Sequence, residues 1–227
     1  MALITIGNNN IYVENAGQQA SLSTSSSDKV FGSAGLRCSR NGTAGRWWNI
    51  ARSTTPRLFQ SGLISGWIRL VSIAAGTQDR VGFYFDASTE DLSGASGTVY
   101  ALMAEVVNTQ ATIQIISSTT GVSGLTTIRA SGGTLLTIAN GDVLAMVVRY
   151  IYSADLGGIW VRGYWQKSAT DLPAHTDSDT PAVEFTITAS APTTQGEGEC
   201  IRNGTTTSGG IYVFDRVTRT PYAVGAL

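Results

Sequence analysis

Few residues in this chain could carry catalytic chemistry. His175 is the only histidine, so the sequence excludes histidine clusters for a metal ion and most histidine-activated nucleophiles. Glu197 and Glu199 could line one strand face as the paired carboxylates of a glycosidase, but a solvated glycine-rich loop is the preferred interpretation. The chain contains no Gly-x-Ser-x-Gly, Walker or Gly-x-Gly-x-x-Gly motif. The sequence therefore predicts a protein without catalytic residues.

A second group of acidic residues could hold a metal ion. Asp177-Ser178-Asp179 follows Asp171 and offers the oxygen ligands that calcium takes, although an ordinary acidic loop is the preferred interpretation. His175 falls in the same segment, where we expect it to have no special role. The sequence predicts neither a bound metal nor a cofactor.

Aromatic residues are the best candidates for binding a glycan or a protein partner. Arg46-Trp47-Trp48-Asn49 falls in a turn-rich segment, where the two indoles could stack on sugar rings or anchor a protein contact. Trp160 and Tyr164 share one face of a predicted strand, and Tyr150 and Tyr152 of the neighbouring strand could complete a platform there. Packing in the core is the alternative for each, because tryptophan is usually well buried.

The two cysteines lie in a repeated six-residue pattern. It runs Cys38-Ser39-Arg40-Asn41-Gly42-Thr43 and again Cys200-Ile201-Arg202-Asn203-Gly204-Thr205. The repeat predicts neighbouring strands, with Cys38 and Cys200 in one sheet or across one core. A disulfide would need Cα atoms within about 7 Å and an oxidising setting, whereas two small buried thiols are the preferred interpretation. Both Asn-Gly-Thr triplets are better explained as turns than as glycosylation sites.

The composition determines what kind of scaffold must position these residues. Only 14% of the residues are charged, while glycine, serine, threonine and alanine dominate, which favours strands over helices. A net charge of −1 offers no electrostatic surface for nucleic acid or an anionic membrane. No run approaches the roughly 18 apolar residues of a membrane span, and Met1 to Gly7 lacks a basic segment, so we expect no signal peptide.

Strand-like segments recur along the chain from Val30 onward. Val81, Phe83 and Phe85 alternate with polar or small residues and should face a core, as should Val183, Phe185 and Ile187. Residues 143–152 are apolar on both faces, which predicts a central strand covered on both sides. The sequence thus predicts an all-β, antiparallel, two-sheet β-sandwich. The clearest predicted strands are 63–73, 79–87, 98–107, 112–117, 135–139, 143–152, 159–166, 182–189 and 210–217.

Residues 1–28 are predicted to form an arm, and residues 29–227 the sandwich. The arm has two short apolar runs that cannot form a core alone, followed at 18–27 by a polar stretch typical of a linker. We expect these runs to pair with a neighbouring subunit, with completion of the domain's own sheet as the alternative. The candidate assembly residues are Leu3, Ile4, Ile6, Ile11, Tyr12 and Val13.

The last predicted strands follow a recognisable order. The turn at 140–142 leads into 143–152, a hairpin leads to Ile159-Trp160-Val161-Arg162-Gly163, and the final strand is Ile211-Tyr212-Val213-Phe214-Asp215-Arg216-Val217. This order resembles the second half of a laminin-G-like, concanavalin A-like jelly roll, whose final strand has the form Ile-Asp-Asp-Val-Arg-Ile-Tyr-Asp-Arg. Val143 stands where that family commonly has tryptophan, and Arg162 where it has aspartate. The resemblance implies a jelly roll and points to sugar binding, although none of the family's loop ligands maps onto a residue here.

Two classes of function fit these observations. The first is a non-enzymatic structural protein of a tailed-bacteriophage virion, such as a capsid decoration or cement protein, a knob or a tail-associated subunit. The small-residue arm, the Ser/Thr/Gly-rich sandwich with few lysines and the missing catalytic motifs resemble such proteins in composition. We then expect it in the virion, after assembly in the host cytoplasm, with other virion proteins and copies of itself as partners. The alternative is a lectin-like module that recognises host-surface glycans.

Overall fold

The structure is a computed structural model. It describes residues 2–6, 9–14, 20–40, 47–51, 61–76, 78–87, 98–119, 127–153, 155, 157–188, 198–203 and 210–221. Within these residues the chain forms sixteen strands and no helix, so none of it is a helix that could cross a membrane. In chain order the strands are β1 (Ala2–Ile6), β2 (Asn9–Glu14), β3 (Ala20–Ser25), β4 (Gly35–Arg40), β5 (Trp47–Ala51), β6 (Gly62–Ser72), β7 (Gln78–Ala87), β8 (Val99–Val107), β9 (Gln110–Ser118), β10 (Thr127–Ser131), β11 (Leu136–Thr137), β12 (Val143–Ser153), β13 (Gly158–Lys167), β14 (Val183–Ile187), β15 (Gly198–Asn203) and β16 (Ile211–Pro221).

The strands form two antiparallel sheets. The nine-stranded sheet has the order β1-β2-β5-β15-β7-β8-β9-β10, with β11 beside β9, and the seven-stranded sheet has the order β14-β13-β12-β6-β16-β4-β3. From β4 to β7 the chain passes from one sheet to the other at every connection. The architecture is the all-β, two-sheet jelly-roll sandwich that the sequence predicts.

Alternating side chains fill the space between the sheets. The main core contains Val81, Phe83 and Phe85 of β7, which are fully buried, and Val183 and Ile187 of β14, which are exposed by only a few per cent. They alternate along each strand because successive strand residues face opposite sides. Strand β12 lies between β13 and β6, and its first eight residues are buried. The prediction of a central strand covered on both faces is confirmed.

Three segments that the sequence predicts as turns, linker or loop are strands. Residues 20–25 form β3 rather than part of a linker, residues 47–51 form β5, and Glu199 lies in β15 rather than in a solvated loop. Strand β15 pairs with β5 on one side and β7 on the other. Strands β3 (Ala-Ser-Leu-Ser-Thr-Ser) and β15 (Gly-Glu-Cys-Ile-Arg-Asn) have few large apolar residues, and β5 (Trp-Trp-Asn-Ile-Ala) has two adjacent tryptophans, so none of the three shows a clear apolar alternation.

The predicted arm pairs within its own chain. Strands β1 and β2 form a hairpin with Leu3 opposite Tyr12 and Ile4 opposite Ile11, and β2 pairs with β5. Strand β3 pairs with β4 in the other sheet. The isolated chain therefore uses these strands to extend both of its sheets, and pairing with a neighbouring subunit stays a prediction.

The two cysteine segments are not neighbours in one sheet. Cys38 lies in β4 of the seven-stranded sheet and is buried in the core, whereas Cys200 lies in β15 of the nine-stranded sheet, opposite Gly82 and Asn49. Pairing of the two segments within one sheet is therefore wrong, because the repeat lies on one strand in each layer, and their placement across one core stays a prediction. The side chain of Cys200 lies outside the described residues, so a bond between the two sulfurs stays untested.

A buried polar contact joins the two sheets at the start of β16. Asp79 of β7 accepts hydrogen bonds from the Tyr212 hydroxyl at 2.6 Å and from the backbone N–H of Gly210 at 2.7 Å. Burial, with the Asp79 charge as a second cause, raises the pKa of Tyr212 well above its usual value. This carboxylate is used in holding the sheets together.

Candidate functional site

The best-defined cluster of polar side chains lies on the outer face of the seven-stranded sheet, which is the face turned away from the other sheet. Strand register places Arg149 of β12 opposite Arg162 of β13, and Ile151 opposite Trp160. Tyr164 follows two residues after Arg162 and shares its face. The core residues of β12 alternate with these positions, so the two arginines face away from the core.

Residues 168–182, which we call the β13–β14 loop, cross this outer face. The loop is tied to the sheet at its two ends, where Ser168 N–H donates to the Val143 carbonyl and Ala182 N–H donates to the Gly163 carbonyl. Leu172 packs against a small apolar cluster that includes Trp67 and Val143. The loop therefore covers the middle of the face and leaves the Trp160 end half-exposed.

Arg149 fastens the middle of the β13–β14 loop. Its guanidinium donates to the His175 carbonyl at 2.7 Å and to the Asp177 carboxylate at 2.5 Å. The Arg149 side chain is only 2% exposed, but that of Asp177 is 75% exposed. A buried cation is thus paired with a carboxylate that stays in contact with water.

Arg162 makes three contacts beside it. Its guanidinium carbon lies 3.7 Å from the centre of the Trp160 ring, its Nε donates to Glu184 at 2.9 Å, and one Nη donates to the Asp177 carbonyl at 3.2 Å. Two like charges directly opposite each other would repel. Asp177 and Glu184 supply the opposite charges that allow the arginines to lie side by side.

A second loop, residues 26–34, covers the other side of the same face. The carboxylate of Asp215 accepts the backbone N–H groups of Val30 and Phe31, each at 2.8 Å. Phe31 packs edge-on against Trp67, with ring centres 4.8 Å apart, and the Arg216 guanidinium lies over Phe31 at 4.3 Å. The Asp-Arg pair near the end of the chain, which the family resemblance includes, therefore anchors this loop.

Arg216 owes its position to a bulge in β16. Its φ of 44° is in the left-handed region, and the register between β16 and β6 shifts between Asp215 and Thr218. Such a bulge re-aims side chains at the point where it occurs. Here Asp215 and Arg216 contact the same loop.

The structure separates the predicted aromatic residues. Trp160 is half-exposed, but Tyr164 is only 2% exposed and lies beneath the loop, with its ring edge-on to His175 at 6.5 Å. Tyr150 and Tyr152 belong to the inner face with the main core, so the predicted platform of all four residues is wrong. The register explains this, because Trp160 is opposite Ile151, which lies between the two tyrosines.

For some predicted site residues the structure describes only the backbone, and one of them lies outside the described residues altogether. Trp47 and Trp48 lie in β5 rather than in a turn, and their side chains are outside the described residues. Glu199 has a described backbone in β15, while Glu197 lies outside the described residues. Their contacts stay untested.

The acidic residues of the β13–β14 loop are used in structural contacts. Asp177 pairs with Arg149, and Asp179 accepts the backbone N–H of Thr176 at 2.5 Å and its hydroxyl at 2.6 Å. These hydrogen bonds, the hydroxyl first, lower the pKa of Asp179. Among the described residues no three His, Cys, Asp or Glu side chains are grouped so as to hold a metal ion.

Glu105 forms a second polar cluster, on the nine-stranded sheet. One carboxylate oxygen accepts from Gln78 and from two nitrogens of Arg80, and the other accepts from Gln114 at 2.9 Å. Both oxygens are therefore occupied by donors from neighbouring strands. This arrangement fits cross-strand support better than acid–base chemistry.

The four edges of the sandwich differ in how well they are protected against pairing with other chains. At one end, β10 contains Arg129 and a bulge, and β14 contains Glu184. At the other end, β1 and β3 lie close together, and neither has a charged residue or a proline. Charges, prolines and bulges are the devices by which proteins prevent edge pairing. Among the described edge strands, β1 and β3 are thus the ones without these devices.

Sequence reasoning missed Arg149 and Arg162 as members of a site. An available indication was Arg149 itself, which is the one charged residue in the otherwise apolar segment 143–152. A charge in a strand covered on both faces must have partners. The identity of those partners, Asp177 and the His175 carbonyl, depends on a loop that begins well after the strand.

Comparisons with known proteins add likenesses of fold. No protein-family model and no curated protein matches the sequence. A solved protein of unknown function from Shewanella oneidensis MR-1 is 16% identical with a TM-score of 0.48, covering 99% of this chain and 84% of that one. Peanut lectin bound to a nine-residue peptide is 11% identical with a TM-score of 0.47, covering 96% of each chain.

A third solved structure is similar over part of its length. It is a GH43 glycoside hydrolase engineered to display both endo-xylanase and exo-arabinofuranosidase activity. It is 14% identical with a TM-score of 0.49, and the match covers 84% of this chain but only 34% of that one.

Proposed function

We propose that this protein is a non-enzymatic structural subunit of a bacteriophage virion, such as a capsid decoration, cement, knob or tail-associated protein, and that it acts through protein–protein contacts. The observation that carries the assembly role is the unprotected edge formed by β1 and β3. The virion setting rests on composition: a sandwich of small and hydroxyl-bearing residues with few lysines and no catalytic motif. Its partners are copies of itself and other virion proteins.

Strand addition explains how such an edge would work. A strand at the end of a sheet presents unpaired N–H and C=O groups, and an extended segment of a partner satisfies them with main-chain hydrogen bonds. Strand β1 reads Ala-Leu-Ile-Thr-Ile, so nothing in it opposes such pairing. The protected edges β10 and β14 leave one end of the sandwich for assembly.

The test adds a charge to each kind of edge. Ile4→Lys and Thr5→Lys alter adjacent positions of β1, so one of the two places its charge on the solvent side. Ile128→Lys in β10 is the matched control, because Ile128 is already 48% exposed. We expect at least one β1 variant to weaken self-association or particle binding about tenfold in sedimentation, with a melting temperature within a few degrees of wild type. Equal association of all three variants would contradict the edge proposal.

The virion setting has its own test. Phage particles purified from the host should contain this chain in stoichiometric amounts by mass spectrometry. Particles assembled with a β1 variant in place of the wild-type chain should contain little or none of the variant. Absence of the chain from purified particles would overturn the virion setting even if the β1 edge proves to mediate self-association.

Glycan binding is the second candidate function, and the half-exposed Trp160 favours it. An indole beside Arg162, Glu184 and the exposed Thr186 combines an apolar ring with hydrogen-bonding groups, as sugar sites commonly do. Since the Arg162 guanidinium lies over the ring, a sugar would use the remaining exposed part of the indole or displace the arginine.

Trp160→Leu should abolish binding on a glycan array, whereas Trp165→Leu, on the inner face of the same strand, should leave it intact. Loss in both variants or in neither would contradict the site.

A further inference from the structure

The β13–β14 loop covers a group of three hydrogen-bond donors on one sheet face. Arg149 and Arg162 are directly opposite each other on β12 and β13, and Tyr164 is next along β13, diagonal to Arg149. All three side chains are largely buried, at 2%, 17% and 2% exposure respectively. Two guanidiniums and a phenol at neighbouring positions of one sheet face form a group of donors suited to an anion, because arginine binds carboxylates through several N–H groups at once.

In this structure the loop itself supplies the acceptors. The carboxylate of Asp177 and the carbonyls of His175 and Asp177 receive the arginine hydrogen bonds. The Tyr164 hydroxyl, however, is buried and has no hydrogen-bond partner in the part of the chain that the structure describes. A buried hydroxyl normally has a partner. The loop therefore supplies acceptors for the two arginines but not for the Tyr164 hydroxyl.

The contact most easily exchanged is the one made by Asp177. Its side chain is 75% exposed, so most of the carboxylate is already in contact with water. The partner it would leave is Arg149, which at 2% exposure cannot reach water by itself. An incoming carboxylate that takes the place of Asp177 keeps the buried charge paired, whereas a neutral ligand leaves it without its counter-charge.

We propose that this site binds the carboxylate of an acidic sugar, such as a uronic acid, with Asp177 occupying the place of the ligand carboxylate when the site is empty. Arg149 and Arg162 hold the carboxylate, Tyr164 donates its hydroxyl, and the sugar ring extends toward the half-exposed Trp160. The inference rests on the second candidate function, glycan binding at Trp160, and narrows it to acidic glycans.

The decisive experiment removes the internal carboxylate and offers an external one. In Asp177→Ala, and in the near-isosteric Asp177→Asn, Arg149 loses its counter-charge and the thermal stability should fall. Sodium glucuronate should then raise the melting temperature of either variant by about 3 °C or more above its effect on wild type, while glucose should not. Asp179→Ala is the matched control, because it removes the same charge from the same loop at a carboxylate that hydrogen-bonds Thr176 and interacts with Arg149 through its charge. It should show no such gain.

The outcomes separate this inference from glycan binding in general. Equal stabilisation by glucose and glucuronate, or an equal gain in Asp179→Ala, overturns the carboxylate site. Equal stabilisation of Asp177→Ala by inorganic phosphate and glucuronate shows a site for any small anion and overturns the choice of an acidic sugar. Array binding to neutral glycans that depends on Trp160 but shows no preference for uronic acids leaves glycan binding standing and refutes only the carboxylate site.

Discussion

Two loops cover the same face of one sheet, but they are attached in different ways. Residues 26–34 are held by Asp215 of the sheet, which accepts two of the loop's backbone N–H groups. The β13–β14 loop is held by Arg149 of the sheet, which donates to a loop carbonyl and to the exposed carboxylate of Asp177. The first contact uses the loop's own backbone N–H groups, whereas the second uses a side-chain carboxylate of a kind that a ligand can also carry. The first loop is therefore attached through its backbone, and the second partly through a side-chain contact that the proposed ligand would replace.

The largest effect should come from removing the attachment of the first loop. Asp215 is buried, and Asp215→Ala leaves the backbone N–H groups of Val30 and Phe31 without their acceptor. We expect the unfolding free energy to fall by about 2–4 kcal/mol. Urea denaturation would measure it. Asp215→Asn keeps one oxygen as an acceptor and should cost less, and a loss below about 1 kcal/mol in the alanine variant would show that the attachment is dispensable.

The corresponding change in the second loop should be milder. Arg149→Met retains the apolar stem and releases Asp177 into water, so no charge is left buried, and we expect a loss of about 1–2 kcal/mol. Hydrogen exchange should show faster exchange in residues 168–182 and no change in residues 26–34. Faster exchange in both loops would mean that they open as one unit and would contradict their independent attachment.

Apolar contacts at Trp67 offer a finer test of whether the loops are independent. Phe31 and Leu172 come from different loops and pack against the same cluster of Trp67, Val143 and Ala145. Each alanine variant should cost about 1–2 kcal/mol, because both side chains are half-buried. The double variant should depart from additivity by about 0.5 kcal/mol or more if the shared cluster couples them. Strict additivity would mean that the loops meet without stabilising each other.

The smallest effect concerns pH and the second loop alone. The folded pKa of Asp179 is lowered, so its hydrogen bonds to Thr176 support the loop above the ordinary carboxyl pKa and are lost as the pH falls through the lowered value. The protection of the Thr176 amide proton, corrected for its intrinsic exchange rate, should decrease in acid. In Asp179→Asn this decrease should be absent, and the same pH dependence in both proteins would assign the effect to another group.

Sequence patterns identified the strands that have enough apolar residues to alternate. The inward set Val81, Phe83 and Phe85 and the central strand at 143–152 are found where they were predicted, because hydrophobic burial depends on residue order within one strand. Strands β3, β5 and β15 were missed, since none of them shows a clear apolar alternation and their pairing partners lie far away in the sequence or are themselves unrecognised strands. The predicted tyrosine platform failed for a related reason: it needed the register between two strands, which no single segment contains.

The sequence by itself determined the all-β class, the two-sheet sandwich and the resemblance of its last strands to a jelly roll. It also showed Arg149 as an isolated charge in an apolar strand. Only the tertiary structure decided that Arg149 faces Arg162, that Tyr164 lies beneath a loop while Trp160 remains half-exposed, and that Asp215 and Arg216 anchor a loop about 185 residues earlier. The reason is physical: alternation is a local property of each strand, but the partner of a buried charge is set by cross-strand register and by loops brought close only when both sheets have formed.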